Sequence, residues 1–468
     1  MRKILVILFV FLLLLEIFPL SSVPTESATT GWLSGWAYRR AVTINNTGNS
    51  NTLSNYQVVI TFDTASLISA GKLQSSCADI RFTDSDGQTL LNYWIDPNTC
   101  NTGSTRIYVN VPSIPASSTY TIYMYYGNPT ATSASNGEAT FILFDDFSGT
   151  SLNTTKWSVL SSTNATVSVS NSILQISMTS TVGGSYNIKS TTSISYPVII
   201  EARVNATGGA NVDSFMPAYT TALSGNFGFD LGSSYPFGVF LSSGKSGSAY
   251  WILYTYSSSG GYSYTLYSGG YGTWLKTKLV VTQNSQQAYM FNDTWYQIAS
   301  GTLTPSLYSG AYQVDLGATW SSTSSLYTFM YDWVLVRSYT NPEPATSVSS
   351  TEQTSIPPAP TLSAPSNGTS VFVPSTVNFT WTYNPAFTGD YQTAYQLQIS
   401  NSSSFTTLFV DTGQVSSSNS YAVISLPSNM TAGTYYWRVK VWGSAGYSSS
   451  WSQPFTLTAY SLTIAVGT

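Results

Sequence analysis

The chain has 468 residues, enough for roughly three domains of about 150 residues, each able to bury an ordinary core. Charged residues make up 8%, far below the typical value of about 25%, and 16 Lys and Arg against 20 Asp and Glu leave a net charge of -4. With no basic run beyond Arg39 and Arg40, this excludes nucleic-acid binding, and the absence of histidine removes Ser-His-Asp and Cys-His catalysis and histidine metal sites.

The first 30 residues read as a secretory signal: Met1-Arg2-Lys3, an apolar run from Ile4 to Leu15, Glu16, then a Ser/Thr-rich exit with cleavage near Ala28. The alternative is an uncleaved anchor over Ile4 to Leu20, the one route to membrane attachment in this reading. Export places the chain outside the cell, secreted or on the cell surface. There the two cysteines, Cys77 and Cys100, are expected to pair as a structural disulfide.

Residues 31–137 read as a first β-sandwich module. Tyr38 to Ile44 and Tyr56 to Phe62 are strands, and Ala65 to Lys72 makes one or two helical turns. Asp79 to Thr83 and Leu90 to Ile95 flank the turn Ser85-Asp86-Gly87 as a hairpin. Arg106 to Val111 and Tyr120 to Tyr126 follow, separated by Pro112 and Pro115, which do not suit a central ladder. The motifs Trp36 to Arg40, Asp79 to Asp84, Tyr93 to Ile95, Val111 to Pro115 and Tyr123 to Pro129 resemble the secreted β-module called domain of unknown function 2341. That resemblance implies an extracellular, multidomain setting and carries no catalytic residues.

Residues 138–346 read as a second module of short strands between Gly, Ser and Asn turns. Phe141 to Phe147, with Leu152 and Trp157, opens it and Tyr331 to Arg337 closes it, which resembles the terminal strands of the concanavalin A-like, laminin-G-like jelly roll. Within it, Tyr250, Tyr254, Tyr256, Tyr262 and Tyr264 share one face of a hairpin under period two, with Trp251, Leu253 and Tyr267 on the other. Rings with hydroxyl tips can stack on sugars, so these five tyrosines are the candidate ligand-binding residues; cross-strand packing is the competing account. Tyr93-Trp94 and Tyr123 to Tyr126 carry the same ambiguity, with core as the leading expectation.

Residues 347–361, with Pro357-Pro358-Ala359-Pro360, read as a stiff extended linker. Residues 362–458 hold strands at Val377 to Thr382, Ala394 to Ser400, Tyr421 to Leu426 and Tyr435 to Trp442. Trp381 and Tyr435 to Val439 resemble the fibronectin type III sandwich. Residues 459–468, from Tyr460 to Val466, alternate as if a further strand or a C-terminal tail began. The fold class expected is all-β: three tandem β-sandwich domains.

Candidate chemistry is sparse. A glycosidase needs two carboxyl groups about 5 to 9 Å apart, but Glu201 is followed at i+2 by Arg203, so it reads as an ion pair or a solvated strand residue. Asp79, Asp84 and Asp86 invite a calcium reading, answered by the needs of a tight turn. Asp145 and Asp146 are the metal candidates, for one structural calcium near a sandwich edge as laminin-G-like domains often hold; caps on backbone amides are the alternative. No other cofactor is expected. Nine Asn-x-Ser/Thr sequons stand at Asn45, Asn153, Asn164, Asn205, Asn292, Asn367, Asn378, Asn401 and Asn429. The function expected is non-catalytic: adhesion, or binding of glycans or other cell-surface proteins, through the lectin-like module. A structural subunit of a surface layer or filament, through self-association, is the alternative, and a glycoside hydrolase comes third.

Overall fold

Strand alternation in Val, Ile, Tyr and Trp builds three β sandwiches in series, so the all-β class holds. The computed structural model describes residues 31–207, 213–220, 238–245, 248–256, 262–268, 274–292, 294–302, 312–322 and 326–461. The proposed signal, residues 1–30, and the tail positions 462–468 lie outside them.

In the first module, β1 (Tyr38–Asn45), β3 (Arg81–Thr83) and β6 (Thr119–Tyr126) form one sheet, and β2 (Leu53–Phe62), β4 (Tyr93–Ile95) and β5 (Thr105–Ile114) the other. Alternate residues Val58, Ile60, Ile107, Val109, Val111, Ile122 and Met124 meet between the sheets. Cys77 and Cys100 are bridged, and Asp63 caps a short helix, Thr64–Ser69, by accepting from Ser66 N at 3.0 Å. Two expectations change. The Asp84 to Thr89 turn is closed by Asp84 N to Thr89 O, but its flanks separate after the Thr83–Leu90 bridge: β3 stays in one sheet and β4 crosses to the other. Pro112 lies inside β5, not between strands. It is tolerated because β4 pairs only as far as Val109 and the register with β2 steps past Pro112, so no ladder bond is lost there.

The second module is a sandwich of two large sheets. In chain order its strands are β7 (Leu143–Asp145), β8 (Trp157–Thr163), β9 (Ala165–Ser170), β10 (Ile173–Met178), β11 (Val182–Ser190), β12 (Val198–Thr207), β13 (Asp213–Thr220), β14 (Gly238–Lys245), β15 (Ser248–Tyr256), β16 (Tyr262–Ser268), β17 (Leu275–Val281), β18 (Ser285–Asn292), β19 (Thr294–Thr302), β20 (Gln313–Ser322) and β21 (Thr328–Ser338). The back sheet runs β19-β18-β17-β12-β21-β10-β9, with β7 added on β21, and the front sheet runs β16-β15-β14-β13-β20-β11-β8. The opening and closing strands do lie together, Phe144 opposite Leu335. Leu174, Ile176, Ile188, Ile200, Val314 and Tyr331 sit in the core, and the Tyr331 hydroxyl crosses it to donate to Gly317 O at 3.0 Å and accept from Gly317 N at 3.1 Å.

After this sandwich the chain returns to the first. Residues Ala345–Val348 and Gln353–Thr354, expected as the end of one domain and part of a linker, form β22 and β23 on the edge of β1, with Val42 opposite Val348 and Tyr38 opposite Thr354. Glu352 there bonds Lys72 at 2.5 Å and accepts from the Tyr126 hydroxyl at 2.7 Å. Pairing wins because an uncovered β1 edge would leave a row of backbone donors and acceptors open. Only residues 355–360 remain as a connection.

The third sandwich packs Trp381, Phe379, Leu397, Trp437 and Val439 between Thr361–Ala364, Thr376–Thr382 and Tyr421–Ser425 on one side and a sheet centred on Gly433–Gly443 on the other. Tyr460, expected to begin something new, ends the strand Phe455–Ser461 of this same sandwich, antiparallel to Gly433–Gly443 and parallel to Thr369–Val373.

Candidate functional site

β12 sends Val198, Ile200, Ala202 and Val204 into the sandwich core and Ile199, Glu201 and Arg203 to the outer face of the back sheet. That face is not open. The first module lies on it with Trp94 and Tyr108, which pack on Phe141, Phe144, Trp333 and Leu335; the Trp94 and Trp333 rings meet edge to face at 5.4 Å. At the centre Glu201 is fully buried. Its Oε1 accepts from Arg337 Nε at 3.0 Å, and its Oε2 from the Tyr108 hydroxyl at 2.6 Å and Arg106 Nη2 at 3.4 Å. Arg337 also pairs with Glu343 at 2.5 Å, and Lys276 reaches across the seam to buried Asp96.

Burial alone would raise the Glu201 pKa, but the charges of Arg106, Arg337 and Lys278 and the Tyr108 hydroxyl outweigh it and hold the carboxyl at about 2. Burial also pushes the Tyr108 hydroxyl well above its ordinary value and Lys278 down. Glu201 is therefore a fixed negative charge between modules, with no proton to give near neutral pH. The expected pairing with Arg203 is corrected: Arg203 pairs with Asp332 at 2.5 Å. The partners Arg106, Tyr108, Arg337 and Glu343 went unread. A signal was present, since Tyr331 to Arg337 places apolar residues on both strand faces, the pattern of a strand covered on both sides.

The front sheet's outer face carries the tyrosine candidates. Val314 and Leu316 of β20 face the core, so Gln313, Asp315 and Gly317 face outward. Register carries that face across the sheet: Ala218 and Phe215 lie opposite Asp315 and Gly317, Gly238 and Ser242 opposite Thr220 and Phe215, and Tyr256 and Ile252 opposite Gly238 and Ser242. Tyr254 and Tyr264 are cross-strand partners, as are Tyr256 and Tyr262, and Tyr250 falls on the same face by period two. All five positions therefore share the outer face, at the sheet edge formed by β15 and β16. Their side chains lie outside the described residues. Nearer the centre of this face, Asn187 and Asp315 are buried, and Gly317 lies so close to Asn187 that a Cβ would overlap the Asn187 side chain.

The metal candidates both accept hydrogen bonds from the chain's own groups. Asp145 is buried and accepts from Trp157 Nε1 at 2.6 Å and Phe147 N at 2.8 Å, with Lys156 at 3.7 Å; Asp146 accepts from Ser148 N at 3.1 Å. Asp79 accepts from the amides of Gln74, Gly127 and Asn128, Asp84 from Ser85 N and the Tyr120 hydroxyl, and Asp86 from the amides of Gln88 and Thr89. Among the described residues no three carboxylate, histidine or cysteine side chains gather as a cation site. Tyr93, Trp94, Tyr125 and Tyr126 are core, while Tyr123 is half-buried under the Arg39 guanidinium at 4.1 Å. Of the sequons, Asn45, Asn153, Asn164, Asn367, Asn378, Asn401 and Asn429 are exposed and Asn205 is buried; the side chain of Asn292 lies outside the described residues.

Two family models match parts of the chain: a domain of unknown function, DUF2341, over residues 76–160, and the Rha78A-like, N-terminal immunoglobulin domain over residues 369–461. The first runs past the end of the first module into β7 and β8. Comparison with curated proteins finds no match. Among solved structures, the chain is similar to a glycosyl hydrolase family protein from Mycobacterium fortuitum at 12% identity and TM-score 0.33, over 42% of this chain and 99% of that one. It is similar to an endo-β-1,3-glucanase from Pyrococcus furiosus at 13% and 0.33, over 43% and 95%. An immunostimulatory antigen and pseudo β-1,3-glucanase of Mycobacterium tuberculosis matches at 12% and 0.33, over 44% and 100%. The fold assignment rests on the sheets themselves.

Proposed function

We propose that the chain is an exported, non-catalytic binding protein of the cell surface, whose lectin-like second module takes up neutral glycan on the outer face of its front sheet. The observation that carries this reading is the register, which aligns Tyr250, Tyr254, Tyr256, Tyr262 and Tyr264 on one outward face while the first module closes the outer face of the back sheet. Aromatic faces and hydroxyls suit sugar rings, and a chain with 8% charge recognises neutral ligands best. Glu201, the acid weighed for hydrolysis, is consumed in ion pairing, which supports the non-catalytic reading. The signal-like first 30 residues and the disulfide support export.

Affinity electrophoresis of the mature chain through a panel of neutral polysaccharides tests the proposal. Retardation by at least one, weakened in Tyr254→Ala, is expected; free migration through all of them, or retardation by every one unchanged in Tyr254→Ala, overturns it.

A second reading, a subunit of a surface layer or filament, draws on one observation. The strand Tyr421–Ser425 is a sheet edge, and it exposes Tyr421 at 49% and Val423 at 61%, an edge suited to pairing with another chain. Sedimentation and electron microscopy across concentrations decide it, since monomers throughout would exclude assembly.

A further inference from the structure

The first and third sandwiches meet at a second aromatic seam, far in sequence from the front sheet. Trp32, Tyr125 and Ala445 form its buried centre, with Trp36, Phe387 and Tyr447 around them. The Tyr447 hydroxyl lies 2.8 Å from Gly35 O and 3.0 Å from Gly127 O, and Gly35 N donates to Ala445 O at 3.3 Å. These bonds tie the modules together beside a cleft of about 470 Å³, within the usual range for small-ligand sites.

The floor of this cleft is held by several contacts. Trp32 Nε1 donates to Trp36 O at 2.7 Å, the Arg39 guanidinium sits 4.5 Å from the Trp32 ring centroid, and Phe387 stacks on Trp32 at 5.0 Å with 27° between planes. One wall is the Asp84 to Thr89 turn, pressed against the chain at Gly31: Gly31 N donates to Asp86 O, and Gly87, at φ +73°, sits so near Gly31 O that no Cβ would fit. The opposite wall brings Tyr391, a ring left 61% exposed.

Polar groups from both modules line the cleft. The Gln88 side-chain amide and the Tyr391 hydroxyl belong to exposed residues of the lining, with Ser34 nearby, while the Ser444 hydroxyl donates to Asp390 Oδ1 at 2.7 Å. Asp86 is held in place by the amides of Gln88 and Thr89 and the Thr89 hydroxyl, leaving a fixed acceptor at the rim. One carboxylate and no basic side chain line the space, which disfavours an anionic ligand.

From this geometry we infer a second, independent ligand site: a cleft for a neutral saccharide of about two pyranose rings, stacked on Tyr391 and Phe387 and hydrogen-bonded to Gln88 and Asp86. Stacking needs an exposed ring with a polar rim, and a cleft built from two tied modules loses little freedom on binding.

Hydrogen exchange of the full mature chain, with and without millimolar cello-, laminari-, malto-, xylo-, manno- and chito-oligosaccharides, reads the site directly. At least one sugar should slow exchange in segments 84–91 and 385–391. Tyr391→Ala and Gln88→Ala should weaken that binding roughly tenfold with an unchanged melting temperature, since both side chains are exposed. Tyr254→Ala should leave the cleft signal intact, which separates it from the front-sheet reading. Protection confined to segment 250–268, protection nowhere, or full affinity in Tyr391→Ala overturns the inference.

Discussion

Replacing Glu201 by Gln removes one charge from the centre of the seam and leaves Arg337 and Arg106 buried with less compensation. A carboxyl held at about 2 in the folded chain, against an ordinary 4.5, contributes about 3 kcal/mol to stability at pH 7. The folded value is the lower one, so this contribution is complete above pH 4.5 and drains away as pH falls toward 2, leaving about 1 kcal/mol at pH 3. Urea unfolding followed by tryptophan fluorescence should show Glu201→Gln weaker than the parent by about 3 kcal/mol at pH 7, with the gap narrowing to about 1 kcal/mol at pH 3. Adding Arg337→Met should restore part of the loss, because an apolar side chain there no longer needs the carboxylate. A gap at pH 7 below about 0.5 kcal/mol, or one that stays constant on acidification, would refute the electrostatic account of the seam.

The remaining predictions use other parts of the molecule. Trp94→Ala opens a cavity between the first two modules and should cost about 3 to 5 kcal/mol in the same urea experiment; a loss under about 1 kcal/mol would mean that the seam is loosely packed. Reduction of Cys77–Cys100, which closes 23 residues, should cost about 3 kcal/mol, measured as a shift of the urea midpoint with and without reductant. Because the Asp145 carboxylate is occupied by Trp157, Phe147 and Lys156, chelation should move the melting temperature by less than roughly 1 °C, and a larger fall would reveal a bound cation. Few groups titrate between pH 4 and 8 and there is no histidine, so the melting temperature should be nearly flat across that range; a wide swing would contradict the charge inventory.

Much of the fold was legible because strand signals are local. Alternation in Tyr56 to Phe62 and in Tyr435 to Trp442 marks strands without reference to any partner, and the observed elements cover both runs. The Asp86-Gly87 turn declares itself in the same way, as does the split of the tyrosine hairpin into two faces, because both depend only on neighbouring residues. Glu201 was different. Its spacing to Arg203 suggested an intrastrand pair, yet its partners come from residues 95 and 136 positions away, brought together when two sheets stack.

What the amino-acid sequence determined by itself is the all-β character, the neutral surface chemistry, the cysteine pair and the face on which each tyrosine position stands, since each follows from composition or from period two. Tertiary structure alone decided that residues 345–354 return to cover β1, that the first module shuts the back sheet, and that Trp32 and Phe387 frame a cleft between modules. The reason is physical: a strand's pattern states that it needs a partner on one edge and cover on one face, but many segments satisfy that need equally well. Only packing of the whole chain selects which one does.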